Sequence, residues 1–162
     1  MPELRQINPV DKKMNIFSVR EIIEFAVEIE KNGESFYRYA AGKFPDEKLK
    51  SLFLTLADEE VDHRKKFEGF LEKIEDYAMP EAFNEDYYSY LRAYAGEKIF
   101  NKKLPEIKKP VDAVQFALNA ERDSILYYIE AKNFVLADEK KIIDDIIAEE
   151  KRHFVKLSQF KF

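Results

Sequence analysis

Four stretches of this chain space their apolar residues at the period of a buried helix, and each stripe is broken near its centre by a glutamate. Along Leu49, Phe53, Leu56, Glu60, His63, Phe67, Phe70 and Ile74 the steps alternate four and three, the pattern of a helix face that meets other helices. Ile143, Ile146, Glu150, His153, Leu157 and Phe160 repeat it. Val19, Ile22, Ala26, Glu30, Gly33, Tyr37 and Val114, Ala117, Glu121, Ser124, Tyr128, Ala131 do the same with a single glutamate each. The chain's two histidines both lie three residues after a seam glutamate. A fold that buries these stripes therefore brings six polar groups together where apolar contact is the rule.

Composition narrows the class. At 162 residues and 46% hydrophobic, one domain with a sizeable core is expected. Fourteen Phe and nine Tyr against four Gly leave few positions for the turns of an all-β fold, so the class is all-α. The net charge is -5, and Lys and Arg are interspersed with Asp and Glu instead of clustered, which disfavours nucleic acid as a partner. No run of eighteen apolar residues suggests a membrane span, and Met1 to Asn15 lacks the apolar heart of a signal peptide, so a cytoplasmic location is expected. With no cysteine, the chain cannot itself supply a disulfide, a Cys-ligated metal or a thiol nucleophile.

Residues 1–17, with Pro2 and Pro9 among scattered charges, read as a loosely held arm. A first helix is expected from Ser18, capped with help from Glu21, to Ala41 or Gly42. Phe44-Pro45-Asp46 forms a corner, and a second helix runs from about Glu47 to Asp76. A third starts near Pro110 or Val111. A fourth starts near Asp138 or Glu139 after a corner at Ala137-Asp138, with Asp138 as cap. The two hairpins form an internal repeat: Glu30 precedes Glu60 by 30 residues and Glu121 precedes Glu150 by 29, while Tyr37 and Tyr128 each follow a seam glutamate by seven. Residues 77–109 are long enough to cross the whole bundle, since a helix of about 25 residues spans roughly 38 Å. The expected fold is thus a ferritin-like four-helix bundle with one long crossover, its residues 18–162 forming a single unit. Tyr87, Tyr90, Leu91 and Tyr94 give the crossover a short amphipathic helix over about 84–99, read as cover for one side of the bundle, with a dimer contact or lid as the alternative.

Burying one unpaired carboxylate costs on the order of several kcal/mol, and four would also repel one another. Lys31, Arg64, Arg122 and Lys151 each follow a seam residue by one position and so point away from it. Two divalent metal ions would balance four carboxylates, with two neutral imidazoles completing the shell. Residues at i and i+3 share a helix face, so Glu60 with His63 and Glu150 with His153 can each address one ion. Glu60 and Glu150 are read as bridges, and Glu30 and Glu121 as terminal ligands. Carboxylate and imidazole donors suit iron first, with manganese or zinc as alternatives. Glu59 and Glu149 rotate off the stripe and are read as solvated or as supports for the ligands, outside the ligand set. Tyr37 and Tyr128 are candidates to donate hydrogen bonds to metal-bound carboxylates, with plain packing equally open.

Glu30 with Gly33 and Tyr37, Glu60-x-x-His63, Glu121 with Tyr128, and Glu150-x-x-His153 resemble the rubrerythrin branch of the ferritin-like di-iron proteins, over about residues 18–160. The resemblance implies the same six ligands and an oxidoreductase that reduces hydrogen peroxide or dioxygen. Two features depart from the family. Rubrerythrins proper carry a rubredoxin-like domain with four cysteines, so this chain is expected to draw electrons from an external donor such as a rubredoxin-like protein. The family's peroxidases have a further glutamate one turn after the ligand of the third helix, where this sequence has Ser124. A homodimer is expected. Iron storage without turnover, and a helical interaction protein with a structural metal, are the competing functions on the same scaffold.

Overall fold

The computed structural model describes residues 19–73, 85–98, 104–135 and 137–162. Five α-helices lie among them: α1 (Val19–Ala41), α2 (Glu47–Lys73), α3 (Glu85–Lys98), α4 (Pro110–Ala131) and α5 (Ala137–Ser158). The expected arm, the Ser18 cap and the expected run of the second helix to Asp76 fall outside the described residues. The first hairpin turns at a corner where Gly42 and Lys43 donate to the Tyr39 and Ala40 carbonyls, and the Asp46 carboxylate accepts the Leu49 amide to start α2. At the start of α4, Pro110 takes the first helical position and the Asp112 carboxylate accepts the Lys109 amide.

The second corner differs from expectation. A 3-10 turn over Lys132–Phe134 follows α4, its first amide donating to the Tyr128 carbonyl, and α5 already begins at Ala137. The tightened turn satisfies carbonyls that the end of α4 leaves open, which moves the corner upstream. Asp138 therefore lies in the first turn of α5 with Glu139, stabilising the positive helix end by charge instead of capping it.

Two apolar clusters fill the bundle. One gathers Ile22 and Ile23 of α1, Phe67 and Phe70 of α2, Tyr127 and Tyr128 of α4, and Ile143 and Ile146 of α5. The other holds Phe36 and Ala40, Phe53 and Leu56, Ala113 and Ala117, and Leu157 of the same four helices. The order in which each helix visits the clusters gives its direction: α1 and α5 run from the first to the second, α2 and α4 from the second to the first. Parallel α2 and α4 require the connection between them to return along the bundle, and it does. Leu91 and Ala95 of α3 are buried in the first cluster, and Ile107 in the second. This is the one-crossover topology of ferritin-like bundles. Between the clusters lies a layer of buried glutamate and histidine. Among the described residues no helix is long and apolar enough to cross a membrane.

Candidate metal centre

Each of the four bundle helices contributes to that middle layer because its stripe carries a glutamate at the same depth. Glu30 comes from α1, Glu60 and His63 from α2, Glu121 from α4, and Glu150 and His153 from α5; all six are buried to 5% exposure or less. They form two groups whose ligand atoms lie within 4.8 Å of one another: Glu30, Glu60, His63 and Glu150, and Glu60, Glu121, Glu150 and His153. Glu60 and Glu150 belong to both groups, and Glu30 and Glu121 to one each. The two imidazoles stack with centroids 5.5 Å apart and planes at 16°.

The donor atoms face one another without satisfying one another. His63 Nδ1 stands 2.8 Å from Glu150 Oε1 and 3.5 Å from Glu30 Oε2. His153 Nδ1 stands 3.3 Å from Glu60 Oε1 and from Glu150 Oε2, and 3.4 Å from Glu121 Oε1. Yet both Nδ1 atoms, Glu30 Oε2, Glu60 Oε1 and Glu150 Oε1 have no hydrogen-bond partner among the described residues. Buried polar atoms of a folded protein are nearly always paired. Inward-facing lone pairs at these separations fit a cation placed between them, and two shared carboxylates fit two cations. Among the described residues no Lys or Arg pairs with any of the four glutamates. Arg64 binds Glu34 at 2.8 Å and Lys31 binds Glu28 at 3.0 Å, so these cations are used elsewhere.

The outer faces of the imidazoles settle which nitrogen is left for a metal. His63 Nε2 lies 2.5 Å from Glu149 Oε2, and His153 Nε2 lies 2.6 Å from Glu59 Oε2. Nε2 of His63 is hydrogen-bonded to Glu149 and Nε2 of His153 faces Glu59, so on each ring it is Nδ1 that faces the layer and would bind a metal once it has lost its proton. Lys66 and Lys156 stand 3.5 Å from Glu149 and 3.6 Å from Glu59 on the outside. Burial alone would raise Glu149, but His63 and then Lys66 outweigh it and hold its carboxyl below the usual range. Glu59 and Glu149, expected as solvated or supporting groups, are partly exposed and face across to the opposite hairpin. Each reaches the histidine of the other one. The usable signal was the repeated Glu-Glu-x-x-His, whose first glutamate recurs in both hairpins.

Tyr37 donates a short hydrogen bond to Glu121 Oε1, and Tyr128 donates one to Glu30 Oε1. Burial first, and then the adjacent carboxylates, push both phenols well above their ordinary range, so each keeps its proton. Gly33 serves a purpose that spacing alone did not reveal: a Cβ there would lie 3.0 Å from Glu60 Oε2. Ser124, its counterpart in the repeat, donates to the Ala120 carbonyl of its own helix. A cleft of about 480 Å³ between α1 and α4, lined by Phe36, Tyr37, Phe116 and Asn119 among others, reaches Glu60 and Glu121. A second, polar one of about 460 Å³ between α2 and α5 reaches Glu59 and Glu149.

The buried groups perturb one another's proton equilibria. Burial lowers His63 and His153, but Glu150 and Glu30 for the one, and Glu121 and Glu150 for the other, outweigh it and raise them to about 11 and about 10. Glu60 and Glu121 rise well above the carboxylate range, through burial first and then the charge of Glu150. Burial also acts to raise Glu150, but the adjacent Glu121, His153 and His63 prevail and hold its carboxyl below the usual range.

The comparisons agree with this geometry. No curated protein matches the chain. A Thermotoga maritima protein described as a ferritin-like diiron-carboxylate protein superposes with a TM-score of 0.63 at 28% identity, over 90% of this chain and 95% of that one. The family model for rubrerythrin matches residues 21–161, nearly the whole of the described bundle with its buried glutamate and histidine layer, and the chain belongs to the rubrerythrin family.

Proposed function

We propose that this protein is a di-iron oxidoreductase that reduces hydrogen peroxide or dioxygen with electrons from an external donor. The observation that carries the reading is the buried layer of unsatisfied carboxylate and Nδ1 atoms, reached by the α1/α4 cleft at Glu60 and Glu121 and by the polar α2/α5 cleft at His153. Glu60 and Glu150 would be shared by both ions, Glu30 and His63 would hold one, and Glu121 and His153 the other. Two ferrous ions held by these residues would supply the electron pair for reducing an O–O bond. The protein residues do the rest. Phe53 and Leu56 on one side and Phe67 and Ile146 on the other keep water from the layer. The Glu149 and Glu59 carboxylates fix the imidazole rings, and the Tyr37 and Tyr128 hydroxyls hold Glu121 and Glu30 in place while keeping a proton close to each.

Protein loaded anaerobically with ferrous iron tests this. On addition of peroxide or dioxygen it is expected to develop a di-iron absorption band and to oxidise its iron faster than free iron does. Absence of both changes would refute the reading. A monomer or dimer in solution is expected, whereas a large hollow assembly would favour storage instead.

A further inference from the structure

The two hydrogen-bonded tyrosines sit in equivalent places of the repeat, but their surroundings are not equivalent. Glu30 and Tyr37 recur 91 positions later as Glu121 and Tyr128, and by the same offset Phe36 recurs as Tyr127. Around Tyr37 the rings are Phe36 at 5.5 Å and Phe53 at 5.7 Å, and Phe36 continues to Phe116 at 4.5 Å. Around Tyr128 one neighbour is Phe67 at 5.1 Å, but a phenolic series also leads away: Tyr127 at 5.9 Å, then Tyr94 of α3 at 5.4 Å, then Tyr90 at 6.5 Å. The first phenol donates to Glu30, and the last ring is 44% exposed. Packing explains rings at these positions, but Phe36 shows that a ring without a hydroxyl fills the slot that Tyr127 fills. A phenol gives up an electron far more readily than a benzene ring. Among the described residues, an unbroken row of four phenols therefore joins the metal-binding layer to solvent from Tyr128, while the rings beside Tyr37 carry no hydroxyl.

We infer that Tyr128, Tyr127, Tyr94 and Tyr90 form a relay that carries single oxidising equivalents from the Glu30 side of the centre to the protein surface. The inference rests on the oxidoreductase reading and gives it a second electron path. Reduction of peroxide to two waters takes two electrons and two protons. When only one metal-held electron is available, Tyr128 supplies the other, and its phenol proton passes to the Glu30 carboxylate that already accepts its hydrogen bond. Tyr127 donates to the Ile22 carbonyl at 2.9 Å, and a carbonyl cannot keep the proton, so Tyr127 bridges without resting as a neutral radical. An electron drawn from Tyr94 and Tyr90 restores Tyr128, which recovers its proton from Glu30. Exposed Tyr90 loses its electron with a proton to water. A one-electron reductant in solution, of the ascorbate or thiolate class, then restores it. The sum is one electron moved from that reductant to the centre.

Two arms test the relay separately from the iron chemistry. In protein loaded with redox-silent zinc and carrying 3-aminotyrosine, a more easily oxidised phenol, at position 128, a Tyr90 radical made by a photogenerated one-electron oxidant is expected to decay, as the aminotyrosyl radical grows, faster with Tyr127 in place than in Tyr127→Phe. The difference should be roughly tenfold or more, each factor of ten corresponding to about 1.4 kcal/mol of added barrier at the bridge. Equal decay overturns the relay whatever the iron does. In ferrous protein treated with excess peroxide and no reductant, peptide mapping is expected to find oxidation at Tyr90. In Tyr127→Phe it should fall at Tyr128 instead, with Tyr37 spared in both. Oxidation spread equally over Tyr90 and off-path Tyr39, unchanged by the substitution, overturns the relay and indicates a diffusing oxidant. Absence of any iron oxidation counts against the oxidoreductase reading alone, and the zinc arm still decides the relay.

Discussion

Loading two divalent ions into the buried layer is expected to drive about four protons out of the protein, because metal ligands must be deprotonated and the metal-free layer is held neutral by protons. The structure says which ones. His63 and His153 stand at about 11 and about 10, so both are imidazolium at neutral pH. Glu60 and Glu121 are raised well above the carboxylate range and remain protonated, while Glu150 is ionised. Two ions with four positive charges replace these four protons, which leaves the charge of the layer almost unchanged. By linkage, each displaced proton makes the overall association constant rise about tenfold per pH unit, so the product of the two constants should climb by up to about four powers of ten per unit near neutrality. The slope should fall off as pH passes through about 10, where His153 begins to lose its proton without help.

The sign for stability is opposite in the metal-free protein. Histidine and glutamate in an unfolded chain titrate near 6.5 and 4.3. Above about pH 6.5 the folded metal-free state therefore binds more protons than the unfolded one, and its stability should decline with rising pH. Anaerobic titration with manganese, followed by a pH indicator in weak buffer and by calorimetry in two buffers of different ionisation heat, gives the proton count directly. Release of fewer than two protons for two ions bound would refute the reasoning. It would mean that the empty layer tolerates ionised carboxylates, and that its raised carboxyls and imidazolium ions are not what balances them.

Gly33→Ala separates folding from metal binding. Alanine in a helix is favoured over glycine by about 0.8–1.0 kcal/mol, so metal-free protein should melt at or slightly above the wild-type temperature while Glu60, crowded at 3.0 Å, binds metal less tightly. Unchanged affinity by chelator competition would show that Glu60 has room to move. Glu149→Gln and Glu59→Gln should each weaken metal binding by about 10–100-fold, the usual cost of removing a carboxylate that orients a metal-binding histidine. Because Glu149 serves His63 and Glu59 serves His153, each substitution should lower one binding step and spare the other; no effect in either would show that packing alone holds the rings.

The buried layer of glutamate and histidine was legible because a helix makes its periodicity public: a glutamate in a four-three alternation of Leu, Phe and Ile points inward with them. The crossover was legible from loop length, since 77–109 is too long for a corner. What stayed hidden is what one helix alone cannot report. Glu149 has no reason, within α5, to be more than a surface acid, and its partner His63 lies 86 residues away on another helix. Tyr127 reads as a core ring until α3 is placed, because only then does Tyr94 stand 5.4 Å from it. The corner before α5 was misplaced because a 3-10 turn ending a helix has almost no sequence signature beyond the helix itself.

The pattern of crossings shows why neither hairpin is expected to hold this centre alone. The group around His63 takes three residues from the first hairpin and Glu150 from the second, and the group around His153 takes Glu60 from the first. The supports cross as well, Glu149 to His63 and Glu59 to His153. Tyr37 and Tyr128 reach over in the same way to Glu121 and Glu30. The contacts that hold the ligands from outside and the two shared glutamates thus reach across to the opposite hairpin, while the apolar clusters on either side are continuous through all four helices. Metal bound in this layer joins the hairpins at mid-height, where apolar contact is missing, and so contributes its binding free energy to the association of the two halves. The same arrangement explains the composition of the stripes. A carboxylate at the centre of each helix is unfavourable for a lone hairpin, and becomes compatible with burial only when the other hairpin and its cations are in place.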